Sequence, residues 1–382
     1  LEYNHDIKIS TNNRKIADNN AVPGNAGYMP QVGLDANYNY SSQNTRLEFA
    51  NPGNPPIDVS NAGTQSINAG VSVNYTIFNG GQRSYTYKKL QNQKSISELM
   101  EQSGIESTVN AVMLQYVNIL NFYESLEINK EAVDLSHKRL ERANLNYNYG
   151  NIGKLELLNA EVDLSNDSSS YVQSLVQLNK AKKDLNVLLG IDPNSDYKLD
   201  TSIVINEDLD LQYFINTGID NNTEFQRQKA LKLNNEFDLK ANNAQKLPNL
   251  SLNGGYRYAR TDYDANFIQQ SENLGWNAGL TLSYNIFDGS RVSRNEQNSR
   301  ILIENQEIQI EKAKDNLEKD IIKAFEDYEG SISLLQLRQS NYRLAEANYS
   351  RSLDAFANGQ ISGIEIKEAQ INLLNSKYAL RL

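Results

Sequence analysis

Four stretches of the chain alternate apolar and polar residues with a period of two. The clearest pair lies near residues 68–78 and 277–287, where small or polar residues separate the apolar positions. Those positions are Ala69, Val71, Val73, Tyr75 and Ile77 in the first stretch, and Ala278, Leu280, Leu282, Tyr284 and Ile286 in the second. A period of two places successive side chains on opposite faces of a β-strand. The pattern therefore predicts strands with one apolar face and one polar face.

Each of these strands has a partner that begins just after a proline, at Pro30 and at Pro248. The apolar positions of the partners are Leu34, Ala36, Tyr38 and Tyr40 in the first, and Leu252, Tyr256 and Tyr258 in the second. We therefore predict β-hairpins at about 30–78 and about 248–287. The alternation alone is also typical of a half-buried soluble sheet. Tyr and Phe at the strand ends favour a membrane sheet, because aromatic rings gather at bilayer interfaces.

After each hairpin the apolar positions change to steps of three and four residues. They are Val109, Val112, Tyr116, Ile119, Tyr123 and Leu126 in the first case, and Phe325, Tyr328, Ile332 and Leu335 in the second. This spacing predicts long helices at about 82–149 and about 291–358, with returning helices at about 154–189 and about 364–382. A helix as long as the first is roughly 100 Å from end to end. It therefore needs coiled-coil packing against neighbouring helices.

The chain is a tandem repeat. Phe78 in Asn-Tyr-Thr-Ile-Phe-Asn-Gly-Gly corresponds to Phe287 in Ser-Tyr-Asn-Ile-Phe-Asp-Gly-Ser, an offset of 209 residues (287 − 78). Gly150 in Gly-Asn-Ile-Gly-Lys-Leu-Glu and Gly359 in Gly-Gln-Ile-Ser-Gly-Ile-Glu have the same offset. The stretch between these landmarks has no net insertion, as expected of a rigid element. We place the first repeat at 1–210, ending in a linker, and the second at 211–382, with a helix ahead of each hairpin.

The two copies differ in length between the proline and the strand end. Pro30 corresponds to Pro248 at an offset of 218 residues (248 − 30), so the first copy is nine residues longer here (218 − 209). The extra length falls around Ser41 to Gln65, where three prolines predict a long exposed loop. We also expect irregular structure between the copies, from Gly190 to Asp220.

Glycines mark the ends of the predicted elements. Gly80, Gly81 and Gly289 stand where strand changes to helix, and glycine supplies the backbone freedom for that change. Gly150 and Gly359 stand where the long helices end, which predicts C-caps.

Composition excludes several classes of function. The 382 residues carry a net charge of −10, whereas nucleic-acid binding needs clustered Lys and Arg. The chain has no Cys, and its two histidines, His5 and His137, are too few for a His-based metal site or a Ser/His/Asp triad. We therefore predict no nucleic-acid partner, no cofactor and no enzyme. No apolar run is long enough for a transmembrane helix, and a helical pattern at Leu1 without a signal peptide leads us to expect a trimmed or mature form.

Four strands cannot close a barrel by themselves. Because open strand edges are not tolerated in lipid, a membrane-spanning form must oligomerise. Three copies supply twelve strands, an even number within the usual range for such barrels.

These features together resemble the TolC family of outer-membrane efflux proteins. The resemblance covers essentially the whole chain and is carried by three elements: the duplicated Tyr-x-Ile-Phe-[Asn/Asp]-Gly junction, the proline-led strands and the duplicated Gly-x-Ile-x-x-[Leu/Ile]-Glu turn. It implies an α+β membrane protein: a homotrimer with a 12-stranded barrel in the outer membrane of a Gram-negative bacterium and a coiled-coil α-barrel in the periplasm. It also implies a passive duct of a tripartite efflux or type I secretion system, supplied by a periplasmic adaptor (membrane fusion protein) and an inner-membrane pump.

The resemblance implies roles for residues at the two helical turns, which lie at the periplasmic tip where family members close the pore and meet the adaptor. The turns are Gly150, Asn151, Ile152 and Gly153, and Gly359, Gln360, Ile361 and Ser362. Acidic positions of the constriction ring correspond to Glu156, Glu365 and Glu368. Carboxylates clustered by threefold symmetry attract cations and repel anions. The alternative is that each Glu only stabilises a helix N-terminus.

The sequence departs from the family pattern at the tip. Some relatives have an Arg at the position of Ile361, which ties the closed tip, and the first copy has Ile152 there. Phe356, which we assign to the constriction, stands where relatives can have Tyr and lacks its hydroxyl. A tip lock must therefore use other contacts; the alternative for all three residues is packing at helix ends.

Two other functions compete with a channel. A soluble periplasmic coiled-coil adaptor or structural protein without a barrel explains the helices and the acidity, but not four alternating strands at matched positions. An enzyme displayed on a barrel needs a cluster of catalytic residues, and neither a convergent His or Cys site nor a phosphate-binding loop is present in the sequence.

Overall fold

The computed structural model describes residues 2–48, 50, 53, 55–202, 209–264 and 268–381. The elements follow the order expected of a repeat, with helices around two β-hairpins. They are α1 (His5–Asn20), a 3-10 helix (Pro23–Ala26), β1 (Gln31–Leu47), β2 (Ile57–Asn79), α2 (Gln82–Asn148), α3 (Lys154–Leu189), α4 (Leu211–Asn221), α5 (Thr223–Ala244), β3 (Asn249–Tyr263), β4 (Gln270–Ser283), α6 (Arg291–Ala357) and α7 (Gly363–Arg381).

The four strands form one antiparallel sheet in the order β1-β2-β3-β4. Across a ladder, directly opposite residues share a face, so the pairs Leu34–Val71 and Val71–Tyr256 lie on the same face as the pair Tyr256–Trp276. This row is typical of the apolar face, which crosses all four strands from the row of Val32 to the row of Ala36, whereas the row of Tyr38 brings Arg260 and Glu272 onto the same face. The opposite face carries polar residues and glycines, as in the row Asp35, Gly70, Arg257 and Gly275. The predicted two-faced strands and the four-stranded fold are confirmed.

β4 ends earlier than the predicted hairpin. The strand stops at Ser283, whereas the corresponding part of β2 continues to Asn79. The reason lies in pairing, because the end of β2 is held by β3 through Phe78–Leu250 and Asn79–Asn249. Among the residues that the structure describes, no strand lies on the outer side of β4.

The predicted loop around Ser41 to Gln65 is wrong for most of its length. β1 continues to Leu47, and β2 begins at Ile57. Tyr40 still pairs with Gln65, and the ladder continues beyond one irregularity between Gln43 and Thr45 to the pair Leu47–Ile57, so most of the extra length extends the two strands. Pro55 and Pro56 stand just before β2, at the hairpin end, whereas the ladder extends wherever backbone partners are available. The third proline of the predicted loop, Pro52, lies outside the described residues.

The segments at the start of the chain and between the repeats also differ from expectation. α1 begins at His5, after Asn4, whose side-chain oxygen accepts from the backbone N–H of Ile7 at 2.9 Å. Leu1, where the helical pattern was expected, lies outside the described residues. Part of the expected irregular segment is α4, and its N-cap Asp210 accepts from the backbone N–H of Gln212.

The chain divides into two compact units, each of which takes segments from both repeats. One consists of Leu1–Asn13, Leu99–Gln226 and Lys312–Leu382. The other consists of Arg14–Glu98 and Arg227–Glu311 and contains the sheet. The repeats are therefore units of sequence, whereas the compact units are built from both copies.

In the unit with the sheet, Arg83 ties the end of β2 to the beginning of α2. Its guanidinium donates to the carbonyl oxygens of Thr76 at 2.5 Å and Ile77 at 2.8 Å. The same group lies over the ring of Tyr28, 4.8 Å from its centroid. These contacts satisfy strand carbonyls and shield the charge with an aromatic face, so they fix the strand-to-helix junction.

In the other unit, α2 and α3 enclose an apolar core. Ile119 is fully buried against a cluster formed by Leu126, Leu178, Ala181 and Leu185. The heptad spacing on α2 therefore faces the returning helix, as coiled-coil packing requires. Within the described residues, no helix combines the length and the apolar character needed to cross a bilayer.

The two junction glycines provide a matched test of this fold. Gly80 and Gly289 both have positive φ, 67° and 68°. A Cβ on Gly80 would overlap the carbonyl oxygen of Ala244, whereas a Cβ on Gly289 would meet no atom within 4 Å. Within the single chain, Gly289→Ala should cost only the left-handed backbone strain, roughly 1–2 kcal/mol. Gly80→Ala should cost clearly more, because its clash is with backbone. Thermal unfolding followed by circular dichroism measures both, and equal melting temperatures would contradict the clash.

Candidate functional site

Both long helices end in the same backbone geometry. At the first turn, Gly150 has φ 77°, and its N–H donates to the carbonyl of Tyr147 at 2.9 Å. The N–H of Asn151 donates to the carbonyl of Asn146 at 2.8 Å. This pair of bonds is a Schellman C-cap, which satisfies carbonyls that the helix leaves free and needs a left-handed residue at the glycine position.

The second turn repeats this arrangement. Gly359 has φ 71°, its N–H donates to the carbonyl of Phe356 at 3.1 Å, and Gln360 donates to Ala355 at 2.9 Å. The predicted C-cap glycines are therefore confirmed. We call residues 150–153 the first tip turn and residues 359–362 the second tip turn. Apart from the partly covered Ile152 and Ile361, all the turn residues are exposed.

The two turns differ in how they start the returning helix. In the second tip turn, Ser362 precedes α7, and its backbone N–H and hydroxyl both donate to the Glu365 carboxylate, at 2.7 and 2.8 Å. The N–H of Glu365 donates back to the Ser362 hydroxyl at 3.3 Å. These reciprocal bonds form a capping box. At the start of α3 the corresponding N-cap is Gly153, which offers no side-chain bond, so Glu156 has no such partner.

The carboxylates of the proposed ring are all exposed, but they are not equivalent. The hydrogen bonds from Ser362 lower the pKa of Glu365, with the backbone N–H contributing most. Within the described residues of the single chain, Glu156 and Glu368 have no ion-pair partner. The structure therefore gives Glu365 a capping role, while the charges of Glu156 and Glu368 are available to solvent.

Phe356 contacts the other repeat. The Arg142 guanidinium lies over its ring, 5.6 Å from the centroid. This contact joins the last turns of the two long helices by a cation–π interaction. A hydroxyl at position 356 is not needed for it, so the absence of Tyr here leaves the two helices connected.

A charged cluster a few turns from the tip turns links the two helical hairpins, α2–α3 and α6–α7. Asp163 on α3 is mostly buried, with 18% of its side chain exposed, and lies 2.6 Å from the Lys367 ammonium on α7. Arg139 on α2 lies 3.9 Å from Asp163 and also 3.9 Å from Asp167. The Ser136 hydroxyl accepts from Arg139 at 3.0 Å and donates to Asp167. We call these five residues the cross-hairpin cluster.

Two further ion pairs connect α7 to α2. Lys377 pairs with Glu131, and Arg381 lies 3.5 Å from Glu124. Together with Lys367, these contacts place three basic side chains of α7 on acidic groups of the first repeat. The first repeat therefore holds the returning helix of the second through three ion pairs.

Sequence reasoning found the two turns but missed the cross-hairpin cluster. The capping box had a local signal, since Ser-x-x-Glu before an apolar run marks a helix N-terminus. The pair Asp163–Lys367 had none, because its members are 204 residues apart in the chain. Only packing brings them together.

Comparisons with known proteins agree with this architecture. The model of the family described as outer membrane efflux protein matches residues 1–191 and 216–381. No curated protein matches the chain by sequence. Among solved structures, the Campylobacter jejuni CmeC outer membrane channel is 17% identical with a TM-score of 0.74, over 99% of this chain and 79% of that one.

Two other solved structures share the fold. The outer membrane protein VceC from Vibrio cholerae is 14% identical with a TM-score of 0.77, over 100% of this chain and 89% of that one. The Neisseria gonorrhoeae MtrE outer membrane channel, solved in its open state, is 14% identical with a TM-score of 0.69, over 100% and 83%.

The capping box predicts a pH dependence of the second tip turn. Because folding lowers the pKa of Glu365, its stabilising contribution is complete above the unfolded value of about 4.3 and is lost as pH falls through the folded value. Amide exchange protection at the start of α7 should therefore decrease between pH 6 and pH 3. Glu365→Gln keeps an acceptor for Ser362 but does not titrate, so its protection should stay constant. Wild-type protection that does not change over this range would contradict the assignment.

Proposed function

Because the chain belongs to the outer membrane efflux protein family, it is an efflux channel of the outer membrane of a Gram-negative bacterium, and we propose that it works as a passive trimeric duct gated at the two tip turns. The channel part of this statement rests on the family. The trimer, the gate and the roles of individual residues are our proposal. The observation that supports the gate is the cross-hairpin cluster, which joins the helical hairpins α2–α3 and α6–α7 close to both tip turns.

The sheet supports the trimer. Its apolar face crosses all four strands in three successive rows, those of Val32, Leu34 and Ala36, which is the arrangement of a barrel with lipid on one side and water on the other. Its two edge strands, β1 and β4, have no partner on their outer sides within the part of the chain that the structure describes. Three copies give twelve strands and leave no edge in the bilayer. A soluble coiled-coil protein without a barrel, the alternative from sequence, explains neither this face nor the family.

We propose an inner-membrane pump and a periplasmic adaptor as partners, because a passive duct has no energy source of its own. Members of the family are channels rather than enzymes, and we propose that this chain likewise catalyses no reaction and uses no cofactor. Energy must then come from elsewhere, in this scheme from an inner-membrane pump that acts through a periplasmic adaptor. The exposed tip turns are the surface that we assign to the adaptor, with Asn151 and Gln360 as polar contacts.

The gate follows from the position of Asp163. This carboxylate lies between Lys367 of the second hairpin and Arg139 of its own hairpin. Moving α7 away from α3 would separate Asp163 from Lys367 and leave a mostly buried carboxylate with one distant cation. A desolvated charge without a close partner is costly, so the cluster favours the arrangement in which the hairpins touch. In our proposal this arrangement is the closed tip.

The acidic ring is assigned to Glu156, Glu365 and Glu368. In a trimer each position occurs three times around one axis, which concentrates negative charge and attracts cations. The capping role of Glu365 does not remove its charge, because the hydrogen bonds favour the ionised form.

Single-channel recordings test the ring. The triple variant Glu156→Gln, Glu365→Gln and Glu368→Gln removes the charges while Gln preserves the capping box. In a planar bilayer with a salt gradient, its reversal potential should shift toward zero because cation selectivity falls. Ser362→Ala is the control, since it breaks the cap and keeps every charge. An unchanged reversal potential in the triple variant would remove the ring and leave the duct.

The gate has its own test. Lys367→Met should raise the open probability, because a partly exposed ion pair contributes up to about 1 kcal/mol per protomer. If three protomers open together, the shift reaches on the order of 100-fold. The matched control is Lys182→Met, whose partner Asp196 belongs to the same repeat. Adding Asp163→Asn to Lys367→Met should produce little further change if the two residues act as a pair. An open probability unaffected by either substitution would contradict the gate.

A further inference from the structure

The sheet has two open edges, and both are rich in exposed apolar residues. On β4, Trp276 is 78% exposed, and on β1, Leu34 is 81% exposed. Neither strand has a partner on its outer side within the described chain. Because the edges belong to one sheet and carry complementary backbone groups, a second copy of the chain is the natural occupant of each edge.

The internal duplication extends to the hydrogen-bond ladders. In the first hairpin Val32 pairs with Val73, and in the second Leu250 pairs with Leu282. Leu250 lies 218 residues after Val32 (250 − 32), and Leu282 lies 209 residues after Val73 (282 − 73). These are the offsets that align the two copies in sequence. The two hairpins are therefore built in the same register.

The chain already contains one joint between hairpins, the β2–β3 ladder. There Val73 pairs with Gly254 and Tyr75 pairs with Leu252. The equivalent joint on the outer side of β4 would take its second strand from another molecule. The duplication allows the register of the internal joint to be transferred to the external one. Adding 209 to the number of a β2 residue gives its counterpart in β4, and subtracting 218 from the number of a β3 residue gives its counterpart in β1.

We propose that β4 of one copy pairs with β1 of a second copy in this register, with Leu282 opposite Ala36 of the second copy. The neighbouring pairs are then fixed, and they are Leu280 with Tyr38, Ala278 with Tyr40, Ser283 with Asp35 and Thr281 with Asn37, the second member of each pair belonging to the second copy. The proposal rests on the trimeric channel proposed above and defines the interface of its barrel.

The faces of the two strands agree in this register. Leu282 and Ala36 both lie on the apolar face of the sheet, and Ser283 and Asp35 both lie on the polar face. A slip of one residue would place every apolar side chain of β4 beside a polar one of β1. The face pattern therefore excludes odd slips, and the duplication selects one register among the even ones.

A glycine supports the same joint. Gly70 in β2 faces Arg257 of β3, and an added Cβ would approach the Tyr256 carbonyl oxygen to 3.1 Å. Its counterpart in β4 is Gly279, around which an added Cβ would meet nothing within 4 Å in the single chain. In the proposed register Gly279 faces Asn39 of the second copy. The small residue thus recurs where a neighbouring strand is close, at the internal joint and at the proposed one.

The register also explains the early end of β4. Ile286 and Phe287 lie beyond the strand and are 89% and 79% exposed. Their counterparts Ile77 and Phe78 belong to β2, where Phe78 pairs with Leu250. The proposal places Phe287 opposite Val32 of the second copy. Residues 284–288 then become strand on assembly, and their apolar side chains join the apolar face.

Cysteine cross-linking tests the register directly, because the natural chain contains no Cys. Two adjacent matched pairs are introduced in separate variants, Leu282→Cys with Ala36→Cys and Ser283→Cys with Asp35→Cys. Along an antiparallel ladder, hydrogen-bonded pairs alternate with non-hydrogen-bonded pairs, and the side chains of the latter are closer together. One of the two matched pairs is therefore non-hydrogen-bonded, with Cβ atoms about 4.5 Å apart. The controls are slipped by two residues on the same faces, Leu282→Cys with Tyr38→Cys and Ser283→Cys with Asn37→Cys, at about 7–8 Å.

Each variant is purified from outer membranes and oxidised, and covalent trimers are quantified after denaturation. We expect at least one matched pair to cross-link at least about tenfold faster than both slipped pairs, because a disulfide needs Cβ atoms about 3.5–4.5 Å apart. The pair Phe287→Cys with Val32→Cys reports on the strand extension. This variant should form covalent trimers when treated with a short bismaleimide, because that reagent can join the two cysteines whether their pair is hydrogen-bonded or non-hydrogen-bonded.

The outcomes separate the inference from the function on which it rests. Light scattering first establishes the oligomeric state of each purified variant. A trimer in which slipped pairs react fastest, or in which no pair reacts, overturns the register and keeps the trimeric duct. A protein that is monomeric in every variant and in wild type contradicts the trimer itself. Matched β4–β1 cross-links without the Phe287–Val32 product keep the register and overturn the strand extension.

Discussion

The structure depends on one constraint, which is that backbone N–H and C=O groups in a bilayer must find hydrogen-bond partners within protein. In the described part of the chain, a sheet of four strands satisfies this requirement for β2 and β3 and leaves the outer sides of β1 and β4 open. The continuous apolar face makes the membrane the favourable environment, while the open edges make a single chain incomplete there. The trimer that we propose is therefore a consequence of backbone chemistry and of the number of strands in the chain.

The helical part obeys a constraint of length. α2 and α6 contain 67 residues each, and both end in a glycine with positive φ. Because the two helices have equal length, two turns of the same geometry lie at the ends of the helical hairpins α2–α3 and α6–α7. Changing one helix by a few residues would shift its apolar positions relative to the partner helix, because helical side chains repeat every 3.6 residues. This explains why the two repeats keep the same length for the long helix and differ in the length of the β-hairpin instead.

The two copies have diverged at positions where their surroundings differ. Ser362 closes a capping box, whereas its counterpart Gly153 offers no side chain. Both junctions cap the long helix with a side chain from the strand end, since Asn79 accepts from the N–H of Arg83 at 3.4 Å and Asp288 accepts from the N–H of Val292 at 2.9 Å. The first junction adds the Arg83 guanidinium, which donates to two strand carbonyls. Duplication thus supplies the architecture, and local substitutions give each repeat its own stabilising contacts. The charged contacts of α7 with the first repeat are a further difference, and they connect one copy to the other.

The sequence by itself determined the repeat, the two-faced strands, the long helices and the glycine caps, because each depends on local periodicity or on the backbone freedom of one residue. It also pointed to the tip turns, and the Ser-x-x-Glu signature of the capping box at Glu365 was present in it. The tertiary structure decided what distant residues do. The pairing of Asp163 with Lys367, the Arg142–Phe356 contact and the length of β4 depend on which elements meet in space. Such meetings follow from packing and ladder pairing between segments that are far apart in the chain, and no local pattern encodes them.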